Sequence, residues 1–136
     1  MRILALDVGD KRIGVAVSDP TGLLARPLTV IPRKGQAADI EAIQKLVIEH
    51  NAGRVIIGLP LSLDGHIGPQ AEKVQSLVEK LRPSLAIPLE LKDERFSTAT
   101  VREHRLESGA GKKKRHAPDD ADAAAIILQE YLDECR

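Results

Sequence analysis

Residues 3–18 read Ile3-Leu4-Ala5-Leu6-Asp7-Val8-Gly9-Asp10-Lys11-Arg12-Ile13-Gly14-Val15-Ala16-Val17-Ser18. Two apolar runs flank a four-residue polar segment, and each run is about the length of a strand. Ile3 to Val8 reads as a buried strand and Ile13 to Ser18 as its partner, with Gly9-Asp10-Lys11-Arg12 as the tight turn between them. One residue breaks the pattern. Asp7 follows four apolar residues, where an unpaired charge is costly. A turn former before Gly9 would explain an Asp there, but a partner for the charge, above all a metal ion, explains it better. Gly9 permits positive φ and close backbone approach at the turn.

Outward from this hairpin, Asp19-Pro20-Thr21-Gly22 reads as a turn with proline at its second position. Leu28 to Ile31 reads as a short third strand, and Pro32 favours an edge or an end for it. Asp39 marks a helix start, with Ile40, Ile43, Leu46 and Val47 at helical spacing and Asn51-Ala52-Gly53 as the stop. Val55-Ile56-Ile57-Gly58-Leu59 is continuous enough for a central strand. Residues 61–68 form a loop rich in turn formers. Pro69 suits the first position of a helix whose apolar stripe is Ala71, Val74, Leu77, Val78 and Leu81. Ile87 to Leu91 reads as a fifth strand. Ser97 or Thr98 can cap a helix running to about Leu106, and residues 108–116 form a glycine-containing basic loop. Pro118 precedes a last helix with Ala121, Ala124, Ala125, Leu128 and Leu132 on its apolar face. A three-strand antiparallel meander followed by alternating helices and strands predicts an α/β fold: a mixed five-stranded sheet flanked by helices. The 136 residues fit one domain, residues 1–136, and no linker or internal repeat divides them.

Phe96 and Tyr131 are the only aromatics, so the core must be aliphatic. Lys plus Arg equals Asp plus Glu, 20 each, so net charge does not select a partner. Its distribution does. Arg102, Arg105, Lys112, Lys113, Lys114 and Arg115 directly precede Asp119, Asp120 and Asp122, and a basic stretch beside an acidic cluster suits a polyanion held at a metal site. Cys135 is the single cysteine, which excludes an intrachain disulfide and agrees with a cytoplasmic location. No signal peptide is expected, because Asp7 interrupts the first apolar run. No stretch approaches the roughly 18 apolar residues of a membrane span, so no membrane partner is expected either. The four histidines lack zinc spacing.

Carboxylates recur in three places: Asp7 at a strand end, Glu94 after the fifth strand, and Asp119, Asp120 and Asp122 at a helix start. Hard cations such as Mg²⁺ take oxygen ligands and retain waters for substrate phosphates. Two such ions can activate a water and stabilise a leaving oxygen. Three carboxylates at a helix start exceed what capping requires, although acids there gain about 0.3–1 kcal/mol each from the helix dipole. Asp119 and Asp122 share one helix face, so they could act as a pair with Asp120 turned aside. Lys11 and Arg12 at the turn, and Lys112-Lys113-Lys114-Arg115 before the last helix, are candidates for the substrate backbone. With two aromatics, the chain is expected to read backbone, shape and charge rather than to stack single-stranded bases.

Four stretches, in order, resemble the YqgF/RuvX-like family, described as Holliday junction resolvases and in newer usage as pre-16S rRNA nucleases. They are Leu6-Asp7-Val8-Gly9-Asp10-Lys11-Arg12-Ile13-Gly14-Val15-Ala16, Gly58-Leu59-Pro60-Leu61, Asp93-Glu94-Arg95-Phe96-Ser97-Thr98, and Asp120 through Tyr131. The resemblance covers nearly the whole chain. It implies an RNase H-like fold and Mg²⁺- or Mn²⁺-dependent cleavage of structured nucleic acid, with two ions. Asp7 matches the family's first acid and Glu94 its second. The third opens the last helix eleven residues before an aromatic, and counting back from Tyr131 gives Asp120. Asp119 and Asp122 crowd that position, so Asp122 stays a candidate ligand. Arg95 would hold a phosphate or orient Glu94. Gly9, Lys11, Arg12, Arg95 and residues 112–115 form the expected substrate surface.

The substrate implied first is the ends of pre-16S rRNA. A four-way DNA junction is the alternative, and symmetric cutting of one would call for a homodimer. Two other classes compete: a non-catalytic nucleic-acid-binding factor, and a nucleotide-binding protein of the actin and sugar-kinase type, whose phosphate loop resembles Asp7-x-Gly9-x-x-x-x-Gly14.

Overall fold

The computed structural model describes residues 1–61, 64–94 and 120–135. Its elements are β1 (Arg2–Val8), β2 (Arg12–Ser18), β3 (Ala25–Pro32), α1 (Gln36–Glu49), β4 (Ala52–Leu59), α2 (Pro69–Leu81), a 3₁₀ turn (Arg82–Ser84), β5 (Leu89–Asp93) and α3 (Asp120–Glu134). The strands form one five-stranded sheet in the order β3-β2-β1-β4-β5. β1 to β3 make the expected antiparallel meander, and β4 and β5 add in parallel beside β1.

Strand alternation divides the core in two. Leu4, Leu6 and Val8, with Ile13, Val15, Val17, Val55 and Ile57, face α1 and α2, where Ile43, Val74, Leu77 and Leu81 are buried. Ile3, Ala5, Ala16 and Ile56 face α3 and meet Ala124, Ile127, Leu128 and Leu132. The first face is built from large aliphatics. The second carries alanines, and that lets α3 approach the sheet closely.

Several boundaries differ from expectation, each for a physical reason. β3 runs from Ala25, not Leu28, because an edge strand tolerates Pro27, and the ladder shifts register between Val15 and Ala16. α1 begins at Gln36 after Gly35 (φ 122°), three residues before Asp39, whose carboxylate turns back onto the preceding chain. β4 begins at Ala52, directly after Asn51 turns the chain with φ 52°. β5 starts two residues late, at Leu89, and the Pro88 carbonyl accepts from Val55 N–H at 3.0 Å. The stripe of α2 is buried in full, with Pro69 in the first turn. On α3, Ala123 and Ile127 join the buried face and Ala125 is only half-buried. The expected helix over 97–106, the basic loop and Phe96 lie outside the described residues.

Candidate active site

The parallel strands β1, β4 and β5 end at the same edge of the sheet, which is where α/β folds place ligands. Asp7 lies near that end of β1. Alternation places it with Ile3 and Ala5 on the α3 face. Its ladder partner on β2 is Gly14. On the other side Leu6 pairs with Ile57, so Gly58 is next along β4. Asp7 is thus bracketed by two glycines, and each has something pressed against it. A Cβ on Gly14 would stand 1.9 Å from the Asp120 carbonyl oxygen. A Cβ on Gly58 would stand 3.0 Å from Glu94 Cγ and 3.0 Å from Ile127 Cδ1. The missing side chains let the start of α3 and the Glu94 side chain come in on either side of Asp7.

Glu94 follows β5 and extends its ladder by one bond, its N–H donating to Leu59 O at 3.0 Å. Its side chain is buried, with Lys92 Nζ 3.6 Å from Oε2. Lys92 is itself largely buried and donates to Glu134 Oε2 at 3.1 Å. Burial alone would lower its pKa, but the bond to Glu134 and the charges of Glu94 and Glu130 outweigh that and raise it. In sequence Lys92 stands among other charged residues, Asp93, Glu94 and Arg95. Its position in the β5 alternation, on the same face as Glu90 and Glu94, is the signal that it faces the site instead.

Asp120 opens α3, and its Oδ2 accepts from Arg12 Nε at 3.0 Å across 108 residues of sequence. Asp122 is half-buried in the same turn. Residues two apart on a helix point roughly 200° away from each other, so the two acids serve different sides. Gly9 has no positive φ, contrary to one expectation for it. Its value is close approach: its N–H donates to Arg12 O at 2.8 Å, and a Cβ there would sit 2.9 Å from that oxygen. Lys11 and Arg12 are exposed at the turn. Arg95, Lys112, Lys113, Lys114, Arg115 and Asp119 lie outside the described residues.

Among the described residues, no three His, Cys, Asp or Glu side chains close into a metal-binding group. The donors nonetheless suit a hard cation. Asp7, Glu94 and Asp120 offer oxygen only, and their elements reach the same end of the sheet. Asp120 is engaged by the exposed Arg12.

A mixed sheet in the order 3-2-1-4-5 defines an RNase H-like fold of the RuvC type. The chain belongs to the RuvX Holliday junction resolvase family, which matches residues 1–134. It is 42% identical over 135 residues to a protein of Roseiflexus sp. (strain RS-1) named "Putative pre-16S rRNA nuclease", covering 99% of this chain and 96% of the relative. A Dehalococcoides mccartyi protein of the same name is 49% identical over 127 residues, covering 93% and 94%. Among solved structures, T. thermophilus RuvC in complex with a Holliday junction substrate superposes with a TM-score of 0.60 at 17% identity, over 99% of this chain and 96% of that one. At that identity the likeness concerns the fold alone. The full-length family match sets aside the actin and sugar-kinase reading.

Proposed function

We propose that this chain is a single-domain, divalent-metal-dependent nuclease that trims the ends of pre-16S rRNA in the cytoplasm. The relatives' shared name supports the substrate. The observation that carries the chemistry is the bracketing of Asp7 by Gly14 and Gly58, which brings the Asp120 main chain and the Glu94 side chain to its two sides. Asp7, Glu94 and Asp120 would hold the ions, with Asp122 as the competing third ligand. When bound, two Mg²⁺ or Mn²⁺ ions would supply an activated water and neutralise charge on the leaving oxygen.

The chain's own residues do the rest. Lys11 and Arg12 present cations at the turn beside Asp7, where a phosphate of a structured RNA can dock. Lys92 stays protonated and sets a positive charge 3.6 Å from the buried Glu94 carboxylate. No side-chain nucleophile is required. Among the described residues, no helix is long and apolar enough to cross a membrane, and the solitary Cys135 is exposed, beyond the end of α3.

The test is cleavage by purified protein and by Asp7→Asn, with Mg²⁺ or Mn²⁺. Substrates are a pre-16S rRNA fragment, a four-way DNA junction, a duplex and unstructured strands. Asp7-dependent cleavage of the rRNA fragment in preference to the others supports the proposal. Preference for the junction replaces the substrate, and calls for a homodimer. Metal-independent binding without any cleavage leaves a non-catalytic RNA-binding factor instead.

A further inference from the structure

Asp39 is a buried carboxylate, 1% exposed, on α1, the helix on the sheet face opposite the acids of the candidate site. Its Oδ1 accepts from Lys34 N–H at 3.0 Å, and its Oδ2 accepts from Arg33 Nε at 3.0 Å. Arg33 passes the connection on. Its Nη1 donates to Gly9 O at 3.0 Å, and its main-chain N–H donates to Lys11 O at 2.9 Å. Two residues of α2 hold the same segment. Gln70 Nε2 donates to Val8 O at 3.1 Å, and Lys73 Nζ donates to Asp10 Oδ1 at 2.9 Å. The described β1–β2 ladder stops at the pair Val8 and Ile13. Gly9, Asp10 and Lys11 lie beyond it, where these outside bonds add to the one bond within the turn, Gly9 N–H to Arg12 O at 2.8 Å.

We infer that Arg33, set by Asp39, is a positioning residue that fixes the turn carrying Lys11 and Arg12 for the substrate backbone. The inference rests on the proposed nuclease reading and extends it to residues that touch neither ions nor substrate. A guanidinium suits the task because its rigid fork can bond a carboxylate and a carbonyl at once. A lysine ammonium at position 33 could reach one partner or the other. Asp7 lies inside the ladder and is held there, so loosening the turn disturbs substrate capture more than the chemical step.

Two variants test this. Asp39→Asn keeps an oxygen for Lys34 N–H and loses the ion pair with Arg33. Arg33→Lys keeps the charge and loses the fork. The expected result for both is KM for the preferred nucleic acid raised about tenfold, as for loss of a charge-assisted bond, with kcat changed less than about threefold. Rescue follows the geometry: Asp39→Glu should recover part of the KM loss. Amide hydrogen exchange gives a readout free of activity. Protection at Gly9, whose N–H bonds across the turn to Arg12 O, and at Arg33, whose N–H bonds to Lys11 O of the turn, should fall at least tenfold in both variants, while Val15 within the ladder keeps its protection. A lower melting temperature with unchanged KM and unchanged protection at Gly9 and Arg33 would make the pair merely structural and overturn the inference, as would loss of kcat at constant KM. If the wild type cleaves nothing, the nuclease reading fails on its own. Exchange at these two amides, with affinity for a structured RNA in EDTA, then decides the positioning role alone.

Discussion

Gly14→Ala separates a site built by close approach from one that merely happens to lie nearby. A methyl at position 14 would fall 1.9 Å from the Asp120 carbonyl oxygen, 2.1 Å from its carbonyl carbon and 2.8 Å from Ala121 N. These are main-chain atoms of the first turn of α3, so rotation of a side chain cannot relieve the clash. Restoring an ordinary separation of roughly 3.4 Å requires the helix start to retreat by about 1.5 Å. Overpacking of this kind costs about 1–3 kcal/mol, and the rigid obstacle places Gly14→Ala at the upper end. A misplacement of about 1 Å at reacting groups can cost about 10²-fold in rate. The variant should therefore stay folded, with a lower urea midpoint, and lose about two orders of magnitude in kcat. Gly58→Ala is the graded comparison. Its new methyl meets side-chain atoms, Glu94 Cγ and Ile127 Cδ1, at 3.0 Å rather than main chain at 1.9 Å, so the stability loss should be the smaller of the two. Urea unfolding and steady-state cleavage measure both quantities. Wild-type kcat in a folded Gly14→Ala protein would show that the Asp120 turn need not sit against Asp7, and the proposed carboxylate set would fall with it.

Two further outcomes follow from the charges. Tyr131 donates to Glu90 Oε1 at 2.7 Å and accepts from Arg54 Nη1 at 3.1 Å, while Arg54 also pairs with Glu90. The Tyr131 bond first, and then that of Arg54, hold the Glu90 pKa below its usual range, while burial and the Glu90 bond push the tyrosine up to about 12. A lowered carboxylate pKa gives stability that is full above the unfolded value, about 4.3, and is lost as pH falls through the folded value. Tyr131→Phe should shrink the difference between urea midpoints measured at pH 6 and pH 3, and an unchanged difference would refute this coupling of α3 to β5. For the basic segment, Lys113→Ala with Lys114→Ala should flatten the dependence of log affinity on log salt by about 0.7–0.9 for each phosphate no longer neutralised. A slope equal to wild type would remove these two lysines from the substrate surface.

What was legible in the sequence was whatever depends on near neighbours along the chain. The hairpin of β1 and β2 follows from two apolar runs and a polar turn, and α2 follows from a stripe whose five residues are all buried. Asp7 stood out because a charge broke an apolar run. Local cues misled where a side chain serves a distant partner. Asp39 looks like a helix cap, yet it braces Arg33 and the hairpin, so α1 starts a turn earlier than its acid suggests. Gly14 and Gly58 read as ordinary strand glycines, because nothing within a few residues reports that α3 and Glu94 press on them. Nor do the neighbours of Lys92 along the chain report its burial. Its partner Glu134 lies 42 residues away.

The two faces of the sheet explain why the acids gather where they do. Large aliphatics hold α1 and α2 off one face and give it a thick core. Ala5, Gly14, Ala16 and Gly58 leave the other face thin, and Ala121 and Ala124 let α3 settle onto it. Close approach of α3 brings like charges together, which is unfavourable unless cations answer them. Among the described residues, Lys92 and Arg12 do so, unequally. Lys92 is 13% exposed and sits where screening is weak, so its attraction to Glu94 is durable. Arg12 is 61% exposed, and its pairing with Asp120 is worth at most about 1 kcal/mol. An exposed guanidinium held that weakly gives up its carboxylate readily to a stronger anion, such as a phosphate of the substrate. The acid that opens α3 is therefore the member of the set most easily rearranged, while Asp7 and Glu94 stay fixed by the ladder and by burial.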